Sequence, residues 1–244
     1  MVNWVGALTV FAGNLATAVG AQDAGFSDPL TNLDLGGWHL AEYDFSHPGF
    51  DTDWRAEQVS ASEQGLELRL NPHSGLNRFV GGSLRRHQTS HYGTYTAQIQ
   101  PARGAGLVTG FFTYTGPHYG TQHDEIDIEF LGKDTTKMHV AWFVDGKLTN
   151  KFIDLGFDAA DHMRSYSFKW CEERMEWRAE NHLLYVHRAT DGPIPKTPQR
   201  LFLNLWAADP SISNWAGLRD PNITAKARFG QVSFSPLLAA GTGS

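Results

Sequence analysis

The sequence predicts an all-β fold, a two-sheet β-sandwich or jelly roll, from three observations. Between residues 37 and 236, short runs alternating apolar with polar residues are separated by Gly, Pro, Asn and Asp, and a period of two puts one face of each run in a core. Amphipathic helix periodicity is nearly absent. No internal repeat or Pro/Ser-rich linker divides the segment, so a single domain over 33–236 is expected, and 244 residues are ample for a sizeable core.

In chain order, residues 1–21 carry an apolar run that includes Trp4, Val5, Leu8, Val10 and Phe11 and ends in the small residues Val19, Gly20 and Ala21. They read as a signal peptide, so a secreted or periplasmic location is expected. The usual basic n-region is missing, the first Lys or Arg being Arg55. Residues 22–32 read as a loosely ordered N-terminal segment and 237–244 as a flexible tail. The alternation at 95–99 predicts a strand. Residues 165–170 and 174–179 read as hairpin arms joined through 171–173, Asp145-Gly146 and Glu180-Asn181 as tight turns, and 158–163 as one short turn.

Composition narrows the function. A net charge of −6 offers no bulk reason to bind nucleic acid or an anionic membrane. Beyond the leader no stretch approaches the ~20 apolar residues of a membrane span. The single cysteine, Cys171, excludes an internal disulfide and a cysteine-rich zinc site, and reads as a small core residue. The histidines lack tight ligand spacing, so no metal site is assigned.

The most informative stretch is 124–130, where Glu125, Asp127 and Glu129 alternate with Ile126, Ile128 and Phe130. On a strand the three carboxylates share one face, where each raises the others' proton affinity. A solvated acidic face and a cation site compete with catalysis. Hard cations gather oxygens mostly from loops, however, and an ordinary strand avoids crowded like charge. Hydrolysis of a glycosidic bond needs such a set: a proton donor for the leaving oxygen and, with retention, a carboxylate nucleophile about 5–5.5 Å away. Glu125 and Glu129 have Cα atoms roughly 13 Å apart on an extended strand, so their side chains must lean together. Asp127 between them can orient a neighbour and set which Glu keeps its proton.

The segment Gly110-Phe111-Phe112-Thr113-Tyr114-Thr115-Gly116-Pro117, followed by 120–136 with Asp124-Glu125-Ile126-Asp127-Ile128-Glu129-Phe130, resembles glycoside hydrolase family 16. Within that family it is most similar to bacterial lichenases (endo-β-1,3-1,4-glucanases) and related exopolysaccharide depolymerases, with weaker similarity over 54–232. The resemblance implies a jelly roll with a concave substrate cleft, a retaining double displacement and no required cofactor. It assigns Glu125 as nucleophile, Asp127 as assisting acid and Glu129 as general acid/base. The single residue between Asp127 and Glu129 matches the regular-strand branch, not the bulged laminarinase-like branch. Arg85, Asn204, Trp206 and Trp215 match sugar-contacting positions.

The departures from the lichenase pattern lie around the carboxylates. Tyr119 replaces a His, His123 a Trp, Ser83 a Glu, and His139 and Ala141 a Gln and an Asn. Tyr119, His123 and His139 are therefore candidate substrate-binding residues, with a structural His139 as the alternative. Thr52 and Gly81 occupy the lichenase disulfide positions, and Gly230 stands where a calcium-binding Asp is usual, so structural calcium is expected to be weak or missing. The expected activity is hydrolysis of internal β-linkages in a β-glucan or glucose-rich exopolysaccharide by a monomer, the polysaccharide being its partner. Transglycosylation at the same site and a silent carbohydrate-binding protein are the alternatives.

Overall fold

A computed structural model describes residues 24–237; the signal peptide expected at 1–21 and the tail beyond 237 lie outside them. The first strands are β1 (Phe26–Asp28), β2 (Trp38–Leu40), β3 (Thr52–Trp54), β4 (Val59–Ser62), β5 (Gly65–Pro72) and β6 (Phe79–Gly81). There follow β7 (Ser83–Ser90), β8 (Gly93–Gln100), β9 (Leu107–Thr115), β10 (Asp124–Leu131), β11 (Lys137–Val144) and β12 (Lys147–Asp154). The last are β13 (Arg164–Trp170), β14 (Arg174–Ala179), β15 (His182–Arg188), β16 (Gln199–Ala207) and β17 (Ala225–Pro236). The only α-helix among the described residues, α1 (Ser213–Ala216), is a single turn.

The strands form two sheets. One runs β15-β14-β13-β8-β17-β5-β6-β3, with β1 added to β17 and β4 to β5; the other runs β12-β11-β10-β9-β16-β7-β2. Pairing is antiparallel except between β3 and β6, and the all-β sandwich agrees with the expected fold class. The alternating residues meet between the sheets. Ile126, Ile128 and Phe130 of β10 and Val140 and Trp142 of β11 face Tyr166 and Phe168 of β13 and Trp177 of β14, all at most 1% exposed. Ring contacts cross the gap, Phe130 to Tyr166 at 4.8 Å and Trp142 to Trp177 at 5.4 Å. Each such side chain contributes about 1.5–3 kcal/mol relative to its exposed state, so the apolar face of β10 holds its carboxylate face outward.

The expected turns and hairpin form. Asp145 (φ 50°) and Gly146 (φ 75°) adopt the left-handed pair that a two-residue hairpin requires between β11 and β12. Cys171 is buried and donates to the Arg174 carbonyl, 3.3 Å. At the absent disulfide positions, a Cβ added to Gly81 would lie 2.8 Å from Thr52 Cγ2, so the Thr52 side chain packs against the Gly81 backbone. The Thr52 hydroxyl instead ties the sheets together, accepting from Ala207 N (2.8 Å) and donating to Ala207 O (3.2 Å).

The N-terminal segment differs from the expectation of loose order. Within 22–32, β1 pairs with β17, Leu30 is fully buried and Asp28 accepts a 2.8 Å bond from the Trp38 indole N–H. These contacts are long-range in sequence, so composition alone does not announce them. Close to this segment on β17, Gly230 supplies no side-chain ligand where the resemblance implies a calcium-binding Asp, and a Cβ there would sit 2.5 Å from Gln98 Oε1 and 2.9 Å from Met163 Sδ.

Candidate active site

Registers across the seven-stranded sheet place the outward residues in rows. Asp127 lies in a row with Arg85, Phe202, Phe112 and Ala141, and Glu125 in one with Arg200, Tyr114 and Phe143. Glu129 shares its row with Ser83, Asn204, Gly110, His139 and Phe152. The register of β10 is unbroken on both sides, so all three carboxylates emerge on one face without a bulge. The strand is anchored at its start by Asp124, which is fully buried. Burial opposes its charge, but four donors outweigh this and hold its carboxyl below the usual range: Asp145 N, Lys196 N, Thr197 N and the Gln122 amide.

Loops rise over both ends of the face. Tyr119, from the turn between β9 and β10, lies 4.2 Å from the Arg200 guanidinium and 6.0 Å from that of Arg85. At the other end Trp215 of α1 reaches over His139, ring centroids 5.4 Å apart. Between them each Glu has an imidazole partner. His123 Nε2 is 2.6 Å from Glu125 Oε2, its ring stacked on Phe143 at 4.4 Å. His139 Nδ1 is 3.0 Å from Glu129 Oε2.

The central carboxyl is the most perturbed. Burial first, then the charges of Glu125 and Glu129, then a hydrogen bond to Glu125 hold the Asp127 proton affinity well above the ordinary carboxylate value. Glu125 is also raised, by burial, against the hydrogen bond and charge of His123, with the Glu129 charge adding to the rise and the Asp127 bond opposing it. Both directions favour a proton shared by the pair over two charges, with Asp127 the stronger proton holder. The sign of the linkage follows: a carboxyl whose folded pKa is raised stabilises the fold below its unfolded value of about 3.9 and loses that contribution as pH rises through its folded value. Asp127→Asn keeps an N–H toward Glu125 without this loss. Its melting temperature relative to the unsubstituted chain should rise as pH increases above the ordinary carboxylate value of about 3.9; a difference independent of pH would show that Asp127 titrates normally.

Of the residues singled out in the sequence, Glu125, Asp127 and Glu129 share one face, Glu125 bonded to His123 and Glu129 separately to His139, with Arg85 and Tyr119 on the same face and Trp215 at its rim. Three are nearly enclosed. Trp206 is 5% exposed and stacks on Phe50 at 3.9 Å, with Val108, Leu131 and Ala208 in the same apolar cluster. His139 is 4% exposed, held on Glu129 and covered by Phe152 and Trp215. Asn204 is 6% exposed and fits only because Gly110 has no Cβ, which would lie 2.4 Å from Asn204 Oδ1. Sequence reading did not single out the stacked pair Phe112 and Phe202 (5.1 Å), Tyr114, Phe143, Phe152 or Arg200. Their parity on β9, β11, β12 and β16 was visible, but only the register shows that it faces the carboxylates.

The profile of glycosyl hydrolases family 16 matches residues 46–227, most of the chain. The chain belongs to that family. It is a lichenase-like glycoside hydrolase. It is 40% identical over 204 residues to a beta-glucanase of Bacillus subtilis (strain 168), covering 83% of this chain and 82% of that one. The structure is similar to the Bacillus licheniformis beta-glucanase, with TM-score 0.81, 35% identity and coverage of 87% of this chain and 98% of the other. It is also similar to a prokaryotic beta-1,3-1,4-glucanase (lichenase) derived from a mouse hindgut metagenome, with TM-score 0.84, 30% identity and coverage of 88% and 100%. No helix of this glycoside hydrolase, among the described residues, is long and apolar enough to cross a membrane.

Proposed function

We propose that this glycoside hydrolase cleaves internal linkages of a β-1,3-1,4-glucan or a closely related glucose-rich exopolysaccharide with retention. Residues 33–236 form the catalytic domain, and the chain acts as an exported monomer. The observation that carries the reading is the unbulged β10, with Glu125, Asp127 and Glu129 on one face and Glu129 held separately by His139. Glu125 attacks the anomeric carbon. Glu129 gives its proton to the leaving oxygen, then takes one from the water that cleaves the glycosyl ester. Asp127 keeps its proton on the Glu125 oxygen that does not attack, and steadies that carboxylate as it gains and loses the sugar. The two carboxylates supply nucleophile and proton, so no cofactor is required.

The aromatic residues flanking this row suit a glucan, since sugar rings have an apolar face that stacks on aromatics. Arg85, Tyr119 and Trp215 supply contacts at the ends of the face, where they hold the chain across β10. A β-glucan is favoured by the beta-glucanase relatives near 40% identity, and the mixed linkage by the similar beta-1,3-1,4-glucanase (lichenase) structure at 30% identity. Barley β-glucan, laminarin, xyloglucan and bacterial exopolysaccharides assayed for new reducing ends, with linkage analysis of the products, test it. Cleavage of barley β-glucan or a glucose-rich exopolysaccharide above the others is expected, and inactivity on every β-glucan would overturn it.

A further inference from the structure

The buried histidine beside Glu129 has a feature the reaction above does not use. His139 Nδ1 is 3.0 Å from Glu129 Oε2, while His139 Nε2 is enclosed and has no hydrogen-bond partner among the described residues. The rings of Phe152, at 4.6 Å, and Trp215, at 5.4 Å, pack against the imidazole. In a neutral imidazole one nitrogen donates and the other accepts, and the partner of one nitrogen fixes the tautomer. A proton on Nε2 would be a buried donor facing no acceptor, the costlier of the two arrangements. On Nδ1 the same proton meets a carboxyl oxygen.

From this arrangement we propose that His139 is a positioning residue for the acid, its Nδ1–H donating to Glu129 Oε2 and thereby confining the acid's own proton to Oε1. The inference rests on reading Glu129 as the general acid/base. Oε1 has no protein partner among the described residues, so it is the oxygen left to serve the substrate. In the first step the Oε1 proton passes to the glycosidic oxygen as its bond to the anomeric carbon breaks and the Glu125 bond forms. In the second, water gives a proton to Oε1 as its oxygen bonds to the anomeric carbon and the Glu125 ester breaks. His139 keeps its proton on Nδ1 throughout. The reverse tautomer would turn the acid's proton toward the imidazole and away from the bond to be broken.

Two measurements test this. In the unsubstituted chain, 15N chemical shifts of the His139 ring should report the Nδ1–H tautomer, and an Nε2–H ring overturns the inference. The second is kcat/KM, which reports the first step, measured across aryl β-glycosides of a glucan oligosaccharide with leaving groups from dinitrophenol to phenol. Dinitrophenolate needs no proton to depart, so a defect in the acid appears as a steeper dependence on leaving-group basicity. His139→Leu should steepen it, with a loss of about ten- to a hundredfold on phenyl glycosides, part of the roughly 10²–10⁴-fold that a positioned acid supplies, and a far smaller loss on the dinitrophenyl glycoside. His139→Asn, whose amide N–H can occupy the place of the Nδ1–H, should restore the shallow slope. An equal loss on all leaving groups marks a merely structural His139 and overturns the inference. Glu129→Ala is the reference: a steep slope there with a shallow one in His139→Leu overturns the inference alone. A shallow slope in Glu129→Ala overturns the acid assignment and this inference with it.

Discussion

Glu125→Gln is expected to lower turnover of β-glucan by at least about 10⁴-fold, the scale on which one member of a covalent catalytic unit acts. The amide is nearly the same size as the carboxylate, so the apolar face of β10 keeps its packing and the row around residue 125 keeps its shape. What it lacks is the charge that attacks the anomeric carbon, and no other carboxylate stands in for it: burial and its neighbours' charges raise the proton affinity of Asp127, and Glu129 is engaged with His139. Oligosaccharide affinity, measured by calorimetry, should change little, because Arg85, Tyr119 and Trp215 are untouched. The residual loss of affinity has a local source: His123 Nε2 at 2.6 Å and Asp127 both bond Glu125, and a primary amide cannot accept from both with its nitrogen turned to one of them. A 2-fluoro glycoside of a glucan disaccharide should label Glu125 covalently in the unsubstituted chain. Mass spectrometry placing the sugar on another residue, or a Glu125→Gln variant that turns over normally, would remove Glu125 as nucleophile.

The part of this site legible in the sequence is the part written within one strand. Alternation at 124–130 fixes which carboxylates share a face whatever lies beside them, and the same parity rule identified both arms of the β13–β14 hairpin. The Asp145-Gly146 and Glu180-Asn181 turns were readable because left-handed backbone selects a few residue types locally. What was not legible depends on partners distant in the chain. The near-enclosure of Trp206 comes from Phe50, more than 150 residues earlier, stacked on it. Phe112, Tyr114 and Phe202 carry no signal of their own, since only the β9–β10 and β9–β16 registers bring them to the carboxylates. The strand at Phe26–Asp28 exists because β17 offers it an edge at the far end of the sequence.

Glu129→Ala is expected to lower turnover of β-glucan by about 10²–10⁴-fold, the contribution of a well-placed proton donor and acceptor. The loss is smaller than for Glu125→Gln because the nucleophile survives: the first step slows for want of a proton on the leaving oxygen, and the second for want of a base to activate water. A dinitrophenyl glycoside evades the first deficit, so the glycosyl-enzyme on Glu125 forms and waits. Azide evades the second, being an anion small enough to enter the space left by the Glu side chain and needing no base. Added azide should therefore accelerate dinitrophenyl glycoside turnover by Glu129→Ala and not by the unsubstituted chain. The stereochemistry of the product decides between mechanisms. Two displacements at the same carbon give the β-glycosyl azide; an α-glycosyl azide would mean that azide attacked the substrate directly, from the face that Glu125 occupies, and would overturn the retaining mechanism. Absence of rescue would show that the base of the second step is not residue 129. His139 sharpens the expectation, because its Nδ1 would then face the vacated space. An N–H there can hold azide beside the anomeric carbon, so rescue should need less azide with His139 in place than in the Glu129→Ala/His139→Leu double variant.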